Sequence, residues 1–324
     1  MHLHLPKPLH SWPEFAGMIL SYFAALLIPA PAFAQASPKP PPSAIYADPP
    51  ADPAHPASTL AVEIPSHGSV INGMVYRPSG PGPFPLIVLM HGLPGNEQNL
   101  DLAQALRRAG WAVMTFHYRG SWGSEGQFSI DNVIEDAKAA VAHAAEPATA
   151  KSWNIDPSRI VVMGHSMGGL AASLSDGSGP KRLATVLIAP WDPSTLATLI
   201  RPLTFSQRNV QAMDRWGDVT HGRLTGTTSP EIAAQVVDHG ERWRLANAAP
   251  ALAAEPLLIV TAQRDLPSSQ AGSLMSVLRA KGAKFDTVEI ASNHSFDDRR
   301  IELETVVLNW LSHLDTQEAP SPRP

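Results

Sequence analysis

The 324-residue chain has no cysteine. That excludes a disulfide scaffold, a Cys-ligated zinc, a Cys nucleophile and a lipoprotein anchor. It has no Lys/Arg block either: 24 basic residues face 29 acidic ones, for a net charge of −5. A nucleic-acid partner is therefore not expected. Only 16% of residues are charged and 44% are hydrophobic, a balance that describes a globular chain rather than a disordered one. No internal repeat is visible. Outside the first residues, no His pair has i,i+4 or H-x-H spacing, and no G-x-x-x-x-G-K-[ST] loop occurs. The sequence thus predicts no metal and no cofactor.

A long apolar run is also missing. The apolar run near the start, residues 15–28 (FAGMILSYFAALLI), carries no charge and has 14 residues, against the roughly 20 that a spanning helix needs. Pro29 and Pro31 end it, and Ala32-Phe33-Ala34 follows. Small residues at −3 and −1 fit a signal-peptidase cleft, so residues 1–34 read as a signal peptide cleaved after Ala34. Export to a periplasmic or extracellular compartment follows, with no stable membrane span after cleavage. The alternative is an uncleaved anchor. Residues 35–57 hold eight prolines in 23 positions and read as an extended linker. Residues 316–324 read as a disordered tail. That leaves 58–315 as the folded domain.

Within that domain, residues 59–64 and 70–76 are strand-like and flank Ser66-His67-Gly68, the pattern of an antiparallel hairpin. The continuous apolar run at 86–90 and the largely apolar runs at 112–116, 160–163, 184–188 and 257–261 fit strands buried on both faces. Residues 285–290 complete eight strands. Helical stripes lie between them: Leu102, Ala105, Leu106 and Ala109 behind a candidate cap at Asn96; Val133 to Ala144; Ala271 to Leu278; Leu303 to Leu314. Alternation of this kind predicts an α/β fold, a mostly parallel sheet with helices on both faces. Residues 191–250 interrupt the rhythm and read as a helical cap insertion. Their six arginines face six acidic residues, so the cap gives no case for an anionic substrate.

The chemistry collects at strand ends. The 160–163 run leads into Gly164-His165-Ser166-Met167-Gly168-Gly169 and then a helix. This is G-x-S-x-G in its strand–turn–helix context, with glycines clearing space around an exposed Ser Oγ. His91-Gly92-Leu93-Pro94-Gly95 ends an earlier strand. The backbone N–H groups of Leu93 and Met167 are the expected oxyanion hole. A nucleophilic Ser needs a base, and the base needs an orienting carboxylate. His294 follows the last strand and Asp265 follows the one before it. Asp192 is a rival for the carboxylate role. Asp297 and Asp298 read as first-turn residues of the last helix, His91 as a brace of its loop, and His165 as packing. Gly120, Gly123 and Gly126 read as a wall of the active-site mouth.

These residues resemble the α/β-hydrolase superfamily. GHSMGG, the His91-Gly92 loop, Asp265 and His294 match it in order over about residues 59–314. The segment 118–128 is similar to its counterpart in prolyl-oligopeptidase-type peptidases. Dienelactone hydrolases are also similar, but they use a Cys nucleophile. The resemblance implies an α/β-hydrolase fold and a serine hydrolase acting through Ser166, Asp265 and His294. The expected substrate is a small-molecule carboxylic ester, cleaved through an acyl-enzyme. A short peptide is the alternative, which an acidic pair in the cap (among Glu231, Asp238 and Glu241) would favour. A non-catalytic binding protein on the same fold is the remaining reading.

Overall fold

The computed structural model describes residues 41–175, 180–266, 269 and 271–318. The expected signal peptide and cleavage after Ala34, the first part of the linker reading and the last residues of the tail reading lie outside the described residues.

Eight strands form one sheet: β1 (Ser58–Ser66), β2 (Ser69–Arg77), β3 (Phe84–Met90), β4 (Ala112–Phe116), β5 (Ile155–His165), β6 (Ala184–Ile188), β7 (Leu257–Ala262) and β8 (Asp286–Ile290). Their order is β1-β2-β4-β3-β5-β6-β7-β8. The β1–β2 and β2–β4 pairs are antiparallel and the other five are parallel. The hairpin turns through His67 and Gly68, both at positive φ.

The helices are α1 (Leu100–Arg108), α2 (Ile130–Ala145), α3 (Pro147–Trp153), α4 (Met167–Leu174), α5 (Pro193–Ile200), α6 (Phe205–Trp216), α7 (Ser229–His239), α8 (Ala249–Leu252), α9 (Gly272–Ala280) and α10 (Arg300–Glu318). No described helix is long and apolar enough to cross a membrane.

Both faces of the sheet are covered, because successive strand residues point to opposite sides. Leu86, Val88 and Met90 of β3, with Ile160 and Val162 of β5, join α2, α4 and the cap helices in one core. Ile87 and Leu89, with Val161 and Met163, join α1 and α10 in the other. Each fully buried aliphatic side chain of this kind stabilises the fold by roughly 1.5–3 kcal/mol. Residues 191–250 contain no strand and fold as α5, α6, α7, a 3-10 turn (Leu245–Ala248) and the start of α8. The segment at 118–128 joins this insertion through a bridge between Ser121 and Leu224.

Four local readings are corrected. Helix α1 is preceded by Asn99, not Asn96, and Asn99 caps nothing with its side chain. Its Oδ1 instead accepts both Nη groups of Arg300 at 3.0 Å. Asp297 and Asp298 precede α10 rather than opening it. Asp297 accepts from Asn293 and donates its backbone N–H back to the Asn293 side chain, while Asp298 accepts from Ser292 and Arg264. The described end of the linker packs on the body: Ser43–Ile45 is a 3-10 turn, Ala44 and Ile45 touch the α1/α10 core, and Arg108 donates to both their carbonyls. The tail reading also shortens, since α10 continues through Glu318.

Candidate active site

Ser166 stands between the last residue of β5 and the first of α4, at φ 58°, ψ −119°. A residue with a Cβ pays roughly 1–3 kcal/mol to hold such a conformation. The surroundings fix it from both sides. Its N–H donates to the Ile188 carbonyl at 3.0 Å, and its carbonyl accepts from Trp191 at 2.9 Å and Leu170 at 3.1 Å. The glycines do the spatial work the motif requires. A Cβ on Gly164 would run into the Gly168 carbonyl, one on Gly168 into the Met90 carbonyl, and one on Gly169 into Pro190.

The loop after β3 crosses directly over the serine. A Cβ at Gly92 would lie 3.0 Å from the Ser166 Cβ and 3.5 Å from its Oγ. Leu93 is the next residue in that loop. Met167 opens α4, and the first N–H groups of a helix have no partner within it. The loop is braced from beneath. His91 is buried and its Nδ1 donates to the Gly92 carbonyl at 2.7 Å. Its Nε2 accepts from His117 Nδ1 at 3.2 Å. Burial pushes the His91 pKa down to about 3, so the ring is neutral and can serve both bonds. Tyr118 donates its hydroxyl to the His91 carbonyl at 3.0 Å. Trp122, in the glycine-rich segment, donates its indole N–H to the Pro94 carbonyl at 2.7 Å, while its backbone N–H reaches Arg223 of the cap insertion. That segment is anchored by Arg119, paired with Glu135 and with the buried Asp136.

His294 lies in the loop between β8 and α10. Its Nδ1 is 3.0 Å from both oxygens of Asp265. The Asp265 side chain is fully buried, and that of His294 is 32% exposed. With Nδ1 bonded to a carboxylate, Nδ1 carries the proton and Nε2 is left free to accept one. The two loops are stitched together. Gln263 N–H donates to Ile290, Arg264 N–H donates to Ser292, and the Arg264 guanidinium reaches the Ala291 carbonyl and Asp298.

Asp192 serves elsewhere. It is the N-cap of α5, accepting from Ser194 N–H and Oγ, and its second oxygen accepts from Ser273 Oγ at 2.7 Å. Two of the three cap acids weighed for an ammonium group have partners of their own. Glu231 bonds to Thr228 in the cap of α7, and Glu241 pairs with Arg244. Among the described residues no group of three or more His, Asp or Glu has metal-holding geometry.

One residue does more than the sequence suggested. His165, read there as packing, places its Nε2 2.9 Å from the His294 carbonyl. Its neighbour in the chain is Ser166, so the backbone that carries His294 is tied one residue from the serine. A backbone carbonyl leaves no mark in a sequence, which is why the contact was not foreseen.

The chain resembles known proteins at two levels. It is 35% identical over 138 residues to the quorum-quenching protein AidA of Acinetobacter baumannii, covering 41% of this chain and 43% of that one. It is 32% identical over 131 residues to esterase EstD of Thermotoga maritima, covering 36% and 30%. The chain thus matches less than half the length of either relative. Among solved structures, Est1E of Butyrivibrio proteoclasticus, with ferulic acid bound, aligns at TM-score 0.60 and 19% identity over 79% of this chain and all of that one. Dipeptidyl peptidase 4 of Porphyromonas gingivalis aligns at TM-score 0.56 and 18% identity over 80% of this chain and 35% of that one. At such identities these structures share the fold alone. The family-level evidence is firmer: residues 87–302, spanning the sheet from β3 onward and all three loops just described, match the model of the alpha/beta hydrolase family, and the chain belongs to that family.

Proposed function

We propose that the protein is an exported serine hydrolase that cleaves a carboxylic ester through an acyl-enzyme, with Ser166, His294 and Asp265 as its triad. The observation that carries this reading is the fully buried Asp265 carboxylate meeting His294 Nδ1 with both oxygens at 3.0 Å, in a loop tied beside the strained serine.

The roles follow from the arrangement. His294 Nε2 takes the Ser166 proton as Oγ attacks the acyl carbonyl. The oxyanion forms against the N–H groups of Leu93 and Met167, a contribution of about 10²–10³ in rate per donor. His294 then protonates the leaving alcohol. Water, activated by the same imidazole, releases the acid and restores Ser166. Asp265 keeps the proton on Nδ1 and stabilises the imidazolium. Every step uses groups of this chain, and the substrate is a small-molecule ester.

Esters rank above peptides for two reasons. The sequence relative named an esterase favours them. Two of the three cap acids that would capture a peptide's ammonium group, Glu231 and Glu241, are engaged in a helix cap and an ion pair instead. The test is a panel of p-nitrophenyl esters of increasing chain length beside aminoacyl-anilides, assayed with wild type and Ser166→Ala. Ester turnover lost in Ser166→Ala supports the reading. Anilide cleavage without ester turnover transfers it to the peptidases.

A further inference from the structure

The base has a second support besides Asp265. The ring of His165 lies against that of His294, with centroids 4.8 Å apart and planes tilted by 39°, and edge-on to Phe296 at 6.4 Å. Its Nε2 faces the His294 carbonyl oxygen at 2.9 Å. A carbonyl only accepts, so this nitrogen must carry the hydrogen. The other ring nitrogen, Nδ1, is buried and has no hydrogen-bond partner.

That unpaired nitrogen is informative. Position 165 is 3% exposed and packs under the loop, where an aliphatic side chain would fill space without burying an unmet polar atom. Buried polar groups without partners are uncommon, so the residue's value must lie in its other nitrogen. The carbonyl of the next loop residue, Ser295, is held in a similar way by Arg300 Nη1 at 2.9 Å. Consecutive carbonyls of the base loop are thus held from β5 and from α10. Burial pushes the His165 pKa down to about 3, which keeps the ring neutral beside a base that becomes cationic during turnover.

We propose that His165 is a positioning residue for His294: its Nε2–H holds the His294 main chain and so sets where the base meets Ser166. The inference rests on the triad reading above. His165 does not touch the reacting atoms. It acts through the geometry of a group that does, and misplacement of a catalytic group by about 1 Å can cost about 10² in rate.

The test compares three substitutions in the full chain, with p-nitrophenyl butyrate as probe. His165→Gln keeps an N–H near the Nε2 position. His165→Asn keeps polarity but places its amide near Nδ1, too short to reach the carbonyl. His165→Leu keeps bulk and removes the donor. The expected result is a kcat about 10–100-fold lower in His165→Asn and His165→Leu, with KM within about threefold of wild type, and recovery to within about threefold in His165→Gln. Folded variants in which Asn and Leu retain wild-type kcat, or in which Gln is as impaired as Asn, overturn the proposal.

A measurement on the unmodified protein decides the matter if the variants fail to fold. The ¹⁵N spectrum of His165 must show a neutral ring with hydrogen on Nε2 and none on Nδ1. The opposite tautomer, or a charged ring at pH 7, overturns the proposal. Ser166→Ala separates the two levels of inference. If that variant keeps full activity, the triad reading fails. If it is inactive while His165→Leu is fully active, only the positioning role fails.

Discussion

Asp265 and His294 meet across two different strand ends, with both carboxylate oxygens 3.0 Å from one ring nitrogen, while Asp192, the competing carboxylate, is spent on Ser194 and Ser273. The two acids therefore separate under mutation. Asp265→Asn is expected to lower kcat by several powers of ten, about 10⁴-fold as for the comparable change in a known triad. Asp192→Ala is expected to cost about 1 kcal/mol of stability through the lost helix cap and to leave kcat near wild type. Steady-state kinetics and thermal melts on the two variants check this. An unimpaired Asp265→Asn contradicts it.

The elbow glycines give a sharper steric test. Gly168→Ala would place a methyl group against the Met90 carbonyl, and Gly164→Ala would place one against the Gly168 carbonyl. Neither obstacle is the flexible end of a side chain. Both variants should lose ester turnover and melt at lower temperature than wild type. Gly272→Ala, where a Cβ meets nothing within 4 Å, is the matched control and should melt within a few degrees of wild type.

Two buried histidines make stability depend on pH. The folded-state pKa values of His91 and His165 are pushed down to about 3 by burial, below the roughly 6.5 of an unfolded histidine. Between those values the unfolded chain binds more protons than the folded one, so stability falls as pH drops from about 6.5 toward 3. Denaturant melts at intervals of half a pH unit should show this slope. Replacing His165 with Gln should make it shallower. An unchanged slope in that variant contradicts the assignment of His165 as neutral.

Glu304 has the opposite sign. It is buried on α10 near Asp101, and desolvation, with the Asp101 charge beside it, raises its pKa to about 7. A carboxyl whose folded pKa is raised loses stability for the protein as pH rises from its unfolded value, about 4.5, through 7. Glu304→Gln should therefore melt higher than wild type at pH 8, and the difference should shrink toward pH 5. Equal melting temperatures at pH 8 contradict the shift.

The sequence was legible where burial is two-sided. Strands such as β3, β4 and β6 are almost wholly apolar because both faces are covered, and the G-x-S-x-G turn announces itself through the space its glycines free. Ser166 and Asp265 stood out as candidates because they follow such strands, and His294 because it follows the last strand of the sheet. What escaped depends on partners distant in sequence. Asn99 rather than Asn96 precedes α1, and its side chain is taken by Arg300, some two hundred positions away. The short α3 begins two residues after α2 ends and carries too few turns for a periodic stripe. The arm at Ser43–Ile45 docks through backbone carbonyls held by Arg108, which proline content alone does not reveal.

The central claim is that Ser166 Oγ carries the acyl group. Mixing the protein with excess p-nitrophenyl butyrate, quenching in acid within milliseconds and mapping the adduct by peptide mass spectrometry tests it directly. The account predicts a butyryl group on the peptide containing Ser166, absent in Ser166→Ala together with turnover. Full ester turnover by Ser166→Ala, or an acyl adduct on another residue with Ser166 unlabelled, would contradict it.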